Sequence, residues 1–257
     1  MRRTAAPIAL VAGAIVLGGC QVPTFGAFRG ATVQGHDEFK LWVGMSIAGL
    51  AVAALVWALI FWTIIRYRRR NNPGIPTQFH ANIPLEIFYT VVPLIMVFVI
   101  FAFTVIVENQ VDAVSANPSE IVHVQGYRWG WNFSYYSGKA SYQGVEISTK
   151  AEPKLLAQPA TSSEYPQLVL PVGETVRVVL TSLDVIHGFY IPEFNFSRYA
   201  QPGVTNRFDF TPTQTGIYRG QCSEYCGLYH SEMLFSVRVV SQRAFAHWLS
   251  SQQTSQA

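Results

Sequence analysis

Charge is scarce in this chain. Lysine and arginine number 18, aspartate and glutamate 15, and charged residues make up only 13% of 257 positions. A surface that sparse does not suit an ordinary soluble domain or a nucleic-acid binder, which needs clustered basic side chains. Cysteine is scarcer, with three residues, too few for a disulfide scaffold. No internal repeat, phosphate-cradling glycine motif or nucleophile motif occurs, so nothing points to nucleotide binding or covalent hydrolysis.

What is present is apolar and unevenly spread. Hydrophobic residues make up 50% of the chain. From Leu41 to Ile65 there is no charge, and none again from Ile87 to Val107. About 20 apolar residues cross the roughly 30 Å hydrocarbon core of a bilayer as a helix. The sequence therefore predicts transmembrane helices over 41–65 and 85–107. Between them "RYRRRNNPGIPTQFHANIPLE" carries Arg66, Arg68, Arg69 and Arg70. Positive short loops stay inside, so loop 66–84 is expected in the cytoplasm and the remainder of the chain outside.

The chain starts "MRR", then "TAAPIALVAGAIVL", then "LGGC". A positive patch, a short apolar stretch and small residues read as a signal peptide over 1–19. The ending is similar to a bacterial lipobox, which would make Cys20 a lipidated mature N-terminus.

Beyond Glu108 the pattern changes. Stretches such as "EIVHVQGYRWGWNFSYY", "QLVLPVGETVRVVLTS" and "LFSVRVVS" are short, β-branched and aromatic, with Pro, Gly or Asn between. An all-β domain over 117–250 follows. Odd-numbered residues 121–133 read as one face of a single strand. Ser241 is placed to cap a last helix through "QRAFAHWLSS", and "KAEPKLLAQPATSSEYP" reads as a loop.

The chemistry concentrates in "GQCSEYCGLYHSEM", residues 220–233, with Cys222, Cys226, His230 and Met233. A disulfide is the plain reading for two cysteines in an exported domain, but it would leave His230 and Met233 without a role. Zinc accepts Cys and His, but thioether is not among its usual ligands. Thiolate and thioether together point to copper. A blue-copper site needs one Cys, two His and a weak Met; here a thiolate is left over. His187 in "LDVIHGFYIPE" supplies a second histidine from an earlier strand. Two Cys, two His and one Met suit two copper ions bridged by both sulfurs. Met233 would be the weak ligand on one and the Glu224 carbonyl on the other.

These motifs resemble subunit II of haem–copper cytochrome c oxidases. "GQCSEYCGLYHSEM" is similar to that family's copper A loop, "HANIPLEIFYTVVP" to the opening of its second membrane helix, "YRWGW" to its aromatic run and "LDVIHGFYIPEF" to its upstream histidine strand. The resemblance covers residues 40–245, and its metal motif is specific, since quinol-oxidizing relatives have lost these ligands. It implies a two-helix transmembrane hairpin followed by an all-β cupredoxin barrel. It implies His187, Cys222, Glu224, Cys226, His230 and Met233 as holders of binuclear copper A. It also implies a magnesium or manganese ion at the Glu224 side chain where subunit I docks, Trp129 as the point where electrons arrive, and Glu86 at the mouth of a proton path. The expected partners are oxidase subunit I, which carries the haems and reduces oxygen, and other oxidase subunits. Cytochrome c or a tethered haem c donor would supply the electrons. The copper domain would lie on the outer face of a bacterial plasma membrane, in an enzyme coupling oxygen reduction to proton translocation.

One departure concerns the donor. After the aromatic run comes "NFSYYSGKASYQGVE", with Lys139 and no acid before Glu146, although Asp184 remains near the histidine strand. An acidic face for a small basic cytochrome is therefore in question. "CGLYHSEMLF" and the lipobox look similar to actinobacterial members, whose donor is a haem subunit. The competing reading is a membrane-anchored copper-binding cupredoxin or copper chaperone without an oxidase role.

Overall fold

Apolar run and alternating strand pack quite differently, and the computed structural model separates them into a helical hairpin and a two-sheet sandwich. The structure describes residues 23–68, 74–75, 78–136, 146–148 and 165–254. The signal segment, Cys20, Lys139 and most of the loop after Ser148 lie outside the described residues.

Helix α1 runs Val33–Arg66. Its cap is Thr32, whose hydroxyl accepts from Gly35 N at 2.9 Å. The helix starts eight residues ahead of the uncharged run because "VQGHDEFK" has a different neighbour: Gly35, Phe39 and Val43 are buried, and the first turns lie against the sandwich. Arg66 in the last turn suits the negative end of the helix dipole.

Helix α2 runs Ile83–Val111. Asn82 Oδ1 accepts from Leu85 N at 3.3 Å, and the Glu86 carboxylate accepts from Asn82 N at 2.9 Å, so two N–H donors at this end are satisfied reciprocally. Pro84 falls in the first turn, where its missing N–H costs nothing. Both helices are long and apolar enough to cross a membrane. Leu55, Trp62, Phe88 and Phe98 on them are more than half exposed, an arrangement stable in lipid rather than in water.

Ten strands follow: β1 Glu120–Tyr127, β2 Gly130–Tyr136, β3 Glu146–Ser148, β4 Gln167–Pro171, β5 Val176–Ser182, β6 His187–Ile191, β7 Phe196–Ala200, β8 Asn206–Phe210, β9 Gly216–Cys222 and β10 Leu234–Val240. One sheet has the order β3-β2-β1-β5-β8, the other β4-β10-β9-β6-β7. The pairs β1 with β5 and β10 with β4 are parallel; the rest are antiparallel. Helix α3, Gln242–Thr254, closes the domain, with Ala244 N donating to Ser241 Oγ at 3.3 Å.

The single-strand reading of 121–133 needs correction. In β1 the even residues Val122 and Val124 are buried; in β2 the odd residues Trp131, Phe133 and Tyr135 are. The chain reverses between them, with Tyr127 opposite Gly130. Trp129 therefore sits in a turn at the rim, not on a strand face.

An aromatic stack fills the space between the sheets. Phe235 lies parallel to Phe189 at 5.0 Å and edge-on to Trp131 at 5.4 Å. A Cβ on Gly220 would come within 2.1 Å of the Phe235 ring, so glycine in β9 is what lets the ring lie across that strand. Rings packed this way add to an already large burial gain.

Candidate metal centre

Strand pairing assembles the centre. Phe189 of β6 lies opposite Cys222 of β9, and Gln221 of β9 opposite Leu234 of β10. His187 at the start of β6 thus comes beside Cys222 at the end of β9. The eleven-residue connection from β9 to β10 folds over both. Its neck is tied by Cys222 N to Met233 O and Ser223 N to Gly188 O, each 3.0 Å. Gly188 permits this approach, since a Cβ there would meet Ser223 Oγ at 2.2 Å.

The soft donors converge. The sulfurs of Cys222 and Cys226 stand 3.9 Å apart as free thiols, far beyond the roughly 2.05 Å of a disulfide. Cys222 Sγ lies 3.9 Å from His187 Nδ1 and 3.2 Å from the Glu224 carbonyl. Cys226 Sγ lies 3.6 Å from His230 Nδ1 and 3.7 Å from Met233 Sδ. His187, Cys222 and Cys226 offer ligand atoms within 4.8 Å of one another, and all three are buried. All six sequence-predicted ligands meet here.

The two thiols do not titrate alike. Burial pushes Cys222 up, but hydrogen bonds from His187 and at the Gly188 and Glu224 backbone outweigh it and bring the thiol to about 7. Cys226 goes the other way, pushed up to about 12 by burial and then by the neighbouring Cys222. A second thiolate so close to the first needs cationic charge beside it. Paired thiols, two imidazoles, a thioether and a carbonyl fit copper by donor softness.

Around the candidate ligands stand two groups, Asp184 and Trp131, to which sequence reasoning gave no part in the centre, and Trp129, which it named. Asp184 accepts from His187 Nε2 at 2.9 Å, and it also holds Arg128 through its backbone N–H at 2.8 Å and its Nε at 3.1 Å. A carboxylate three residues before a candidate ligand histidine was the available signal. Trp131 Nε1 donates to Met233 O at 3.4 Å. Trp129 Nε1 donates to Cys226 O at 3.2 Å, and its ring meets Tyr229 edge-on at 5.0 Å. Gly227, at φ +121°, lies under the Trp129 ring. Glu86 is far along the chain on the first turn of α2, where it serves the helix cap.

Residues 120–240 match the family described as cytochrome C oxidase subunit II, periplasmic domain. The chain is 36% identical to a probable cytochrome c oxidase subunit 2 of Streptomyces avermitilis, over 88% of this chain and 78% of that one. It is 33% identical to cytochrome c oxidase subunit 2 of Mycobacterium tuberculosis, over 97% and 81%. Among solved structures, the periplasmic domain of cytochrome oxidase subunit II from Bradyrhizobium japonicum aligns at 30% identity and a TM-score of 0.43, covering 55% of this chain and 97% of that one. The chain is therefore a membrane protein that belongs to the cytochrome c oxidase subunit II family, part of an oxidoreductase complex.

Proposed function

We propose that this chain accepts electrons one at a time at a binuclear copper A centre and passes them to subunit I, where oxygen is reduced. The observation that carries the reading is the division of donors into two halves sharing a sulfur pair. Cys222 faces His187 and the Glu224 carbonyl; Cys226 faces His230 and Met233. When bound, two copper ions would supply a reversible one-electron carrier.

The chain's own residues do the remaining work. Both cysteines would bridge, His187 and His230 would each hold one ion, and Met233 and the Glu224 carbonyl would be the weak ligands. The buried aromatic wall of Trp131, Phe189 and Phe235 keeps water off one side. Trp129 covers the loop at the rim and is hydrogen-bonded to the carbonyl of a bridging cysteine, which supports it as the place where electrons arrive. The Glu224 side chain would share a magnesium or manganese ion with subunit I. Glu86 would admit protons at the cytoplasmic end of α2. Cys20 would carry lipid, loop 66–84 would lie in the cytoplasm, and the copper domain would face outward. The donor would be cytochrome c or a tethered haem c domain; proton translocation belongs to the whole complex.

Copper counting tests the centre. Two coppers per chain with one unpaired electron shared over both nuclei is the expected result. One copper, or a signal localised on a single nucleus, overturns the binuclear reading.

A further inference from the structure

The β6–β7 hairpin, residues 187–200, touches three parts of the molecule. Its first residue is the buried histidine of the metal centre. Its corner grips the outer extension of α1: Asn195 Nδ2 donates to the carbonyls of Phe28 at 2.8 Å and Gly35 at 3.0 Å. Asn195 adopts φ +52° and ψ 36°, the left-handed conformation that asparagine tolerates better than most residues. Just before it, the Glu193 carbonyl accepts from Ala31 N at 2.8 Å. Gly35 packs so closely here that a Cβ would lie 2.1 Å from the Phe194 carbonyl oxygen. The returning strand holds the other helix, with the Arg198 guanidinium donating to Asp112, the C-cap residue just beyond α2.

Further bonds tie the same joint. Val33 N donates to Thr211 O at 3.0 Å, Thr213 N to Ala31 O at 2.9 Å, and Thr211 N to Gln34 Oε1 at 3.1 Å. Domains joined by a plain linker move relative to one another by default. This joint instead has backbone hydrogen bonds on the α1 side and an ion pair on the α2 side. Strand β6 spans about 16 Å, at roughly 3.3 Å per residue, between the metal centre and the corner. A rotation at the corner is therefore delivered to His187.

We propose that Asn195 and Arg198 are positioning residues that fix the height and tilt of the metal centre over the membrane hairpin. They thereby set the distance across which electrons leave this chain. The proposal rests on the electron-transfer reading above and adds to it the residues that hold its geometry. The hydrogen bonds of both side chains go to the membrane hairpin and its outer extension rather than to a metal ligand, so copper binding and internal transfer come apart experimentally.

The test uses the assembled oxidase with Asn195→Gly and, separately, Arg198→Gln. Glycine keeps the positive φ without strain and removes only the two side-chain bonds. Copper content and spin signal are measured first, in the unsubstituted enzyme and then in the variants. Amide exchange at Ala31, Val33 and Cys222 follows, then the rate of internal electron transfer after photoreduction of the centre. In Asn195→Gly the copper signal should stay, Ala31 and Val33 should exchange faster, and Cys222 should not change. Internal transfer should slow several-fold, because tunnelling between centres weakens steeply with distance. Reduction by the external donor should keep its rate. Unchanged exchange at Ala31 and Val33, or faster exchange with a normal internal rate, overturns the proposal. A missing two-copper signal in the unsubstituted enzyme sinks the copper reading instead. If Asn195→Gly fails to assemble, Arg198→Gln carries the test, and an unchanged internal rate in it overturns the proposal.

Discussion

One carboxylate links His187 to Arg128: Asp184 takes His187 Nε2 on one oxygen at 2.9 Å and the Arg128 backbone N–H on the other at 2.8 Å. Burial would raise the Asp184 carboxyl, but the bonds from His187 and from the Arg128 and Val185 N–H groups hold it at about 2. Asp184 thus orients the ring whose Nδ1 faces Cys222 and ties it to the turn that carries Trp129. Asp184→Asn keeps the shape and removes the charge. Copper affinity should fall about 10- to 100-fold, as for other partners of ligand histidines, and the visible spectrum should shift. Copper titration of the variant decides; an unaltered affinity and spectrum would leave Asp184 a loop residue only.

The two sulfurs are not equivalent to the thioether. If both cysteines hold the ions jointly as proposed, Cys222→Ser and Cys226→Ser should each abolish the two-copper signal and oxidase turnover. Met233→Leu replaces the proposed weak ligand at a fully buried position and should retain both coppers with an altered spectrum. Full turnover in Cys226→Ser would contradict the bridged arrangement.

Trp129 covers the loop without contributing a ligand. Trp129→Ala should leave the copper spectrum unchanged and slow reduction by the donor many-fold. The nearby acid Asp184 is paired with Arg128, so steering of a small basic cytochrome should be weak and its rate should change little with salt. A steep salt dependence, or a normal donor rate in Trp129→Ala, goes against this assignment.

Glu86→Gln separates two roles at one position. Glutamine can still accept from Asn82 N, so the cap of α2 survives, while the ionisable group is gone. Copper should bind normally and turnover should drop several-fold. Equal turnover would restrict Glu86 to the capping bond the structure displays.

Glu120 carries a pH signature away from the metal. Burial pushes its carboxyl up to about 7, and one carboxylate oxygen is buried without a hydrogen-bond partner. A folded-state value above the unfolded one means that stability is fully present below about 4.5 and declines as pH rises through about 7. Glu120→Gln should abolish that decline, giving a higher melting temperature than the parent at pH 8 and little difference at pH 4.5. Parallel melting curves across that window would contradict the buried-carboxyl account.

Much of the architecture was legible because it follows local rules. An uncharged run of membrane length has one favourable solvent, so both helices show in the chain between Leu41 and Val107. Alternation over a few residues reports a half-buried strand, and four ligand-type residues within 222–233 need no distant partner to be noticed. His187 was different: it stands far upstream of the loop, and it was reached because the donors of 222–233 needed a second histidine, a choice that the family resemblance then supported.

Tertiary structure decided what depends on distant neighbours. The placement of β6 against β9 brings His187 to Cys222, and no periodicity encodes which strands adjoin. The reversal between Tyr127 and Gly130 moves the buried apolar side chains from even to odd positions and puts Trp129 at the rim. The extra turns of α1 exist because the sandwich offers Gly35 and Phe39 a surface to pack on. Asp184 became part of the centre only once its loop lay beside Arg128. Local sequence sets which solvent each side chain prefers; the pairing of remote strands is settled by packing the whole aromatic core, and that pairing places the donors.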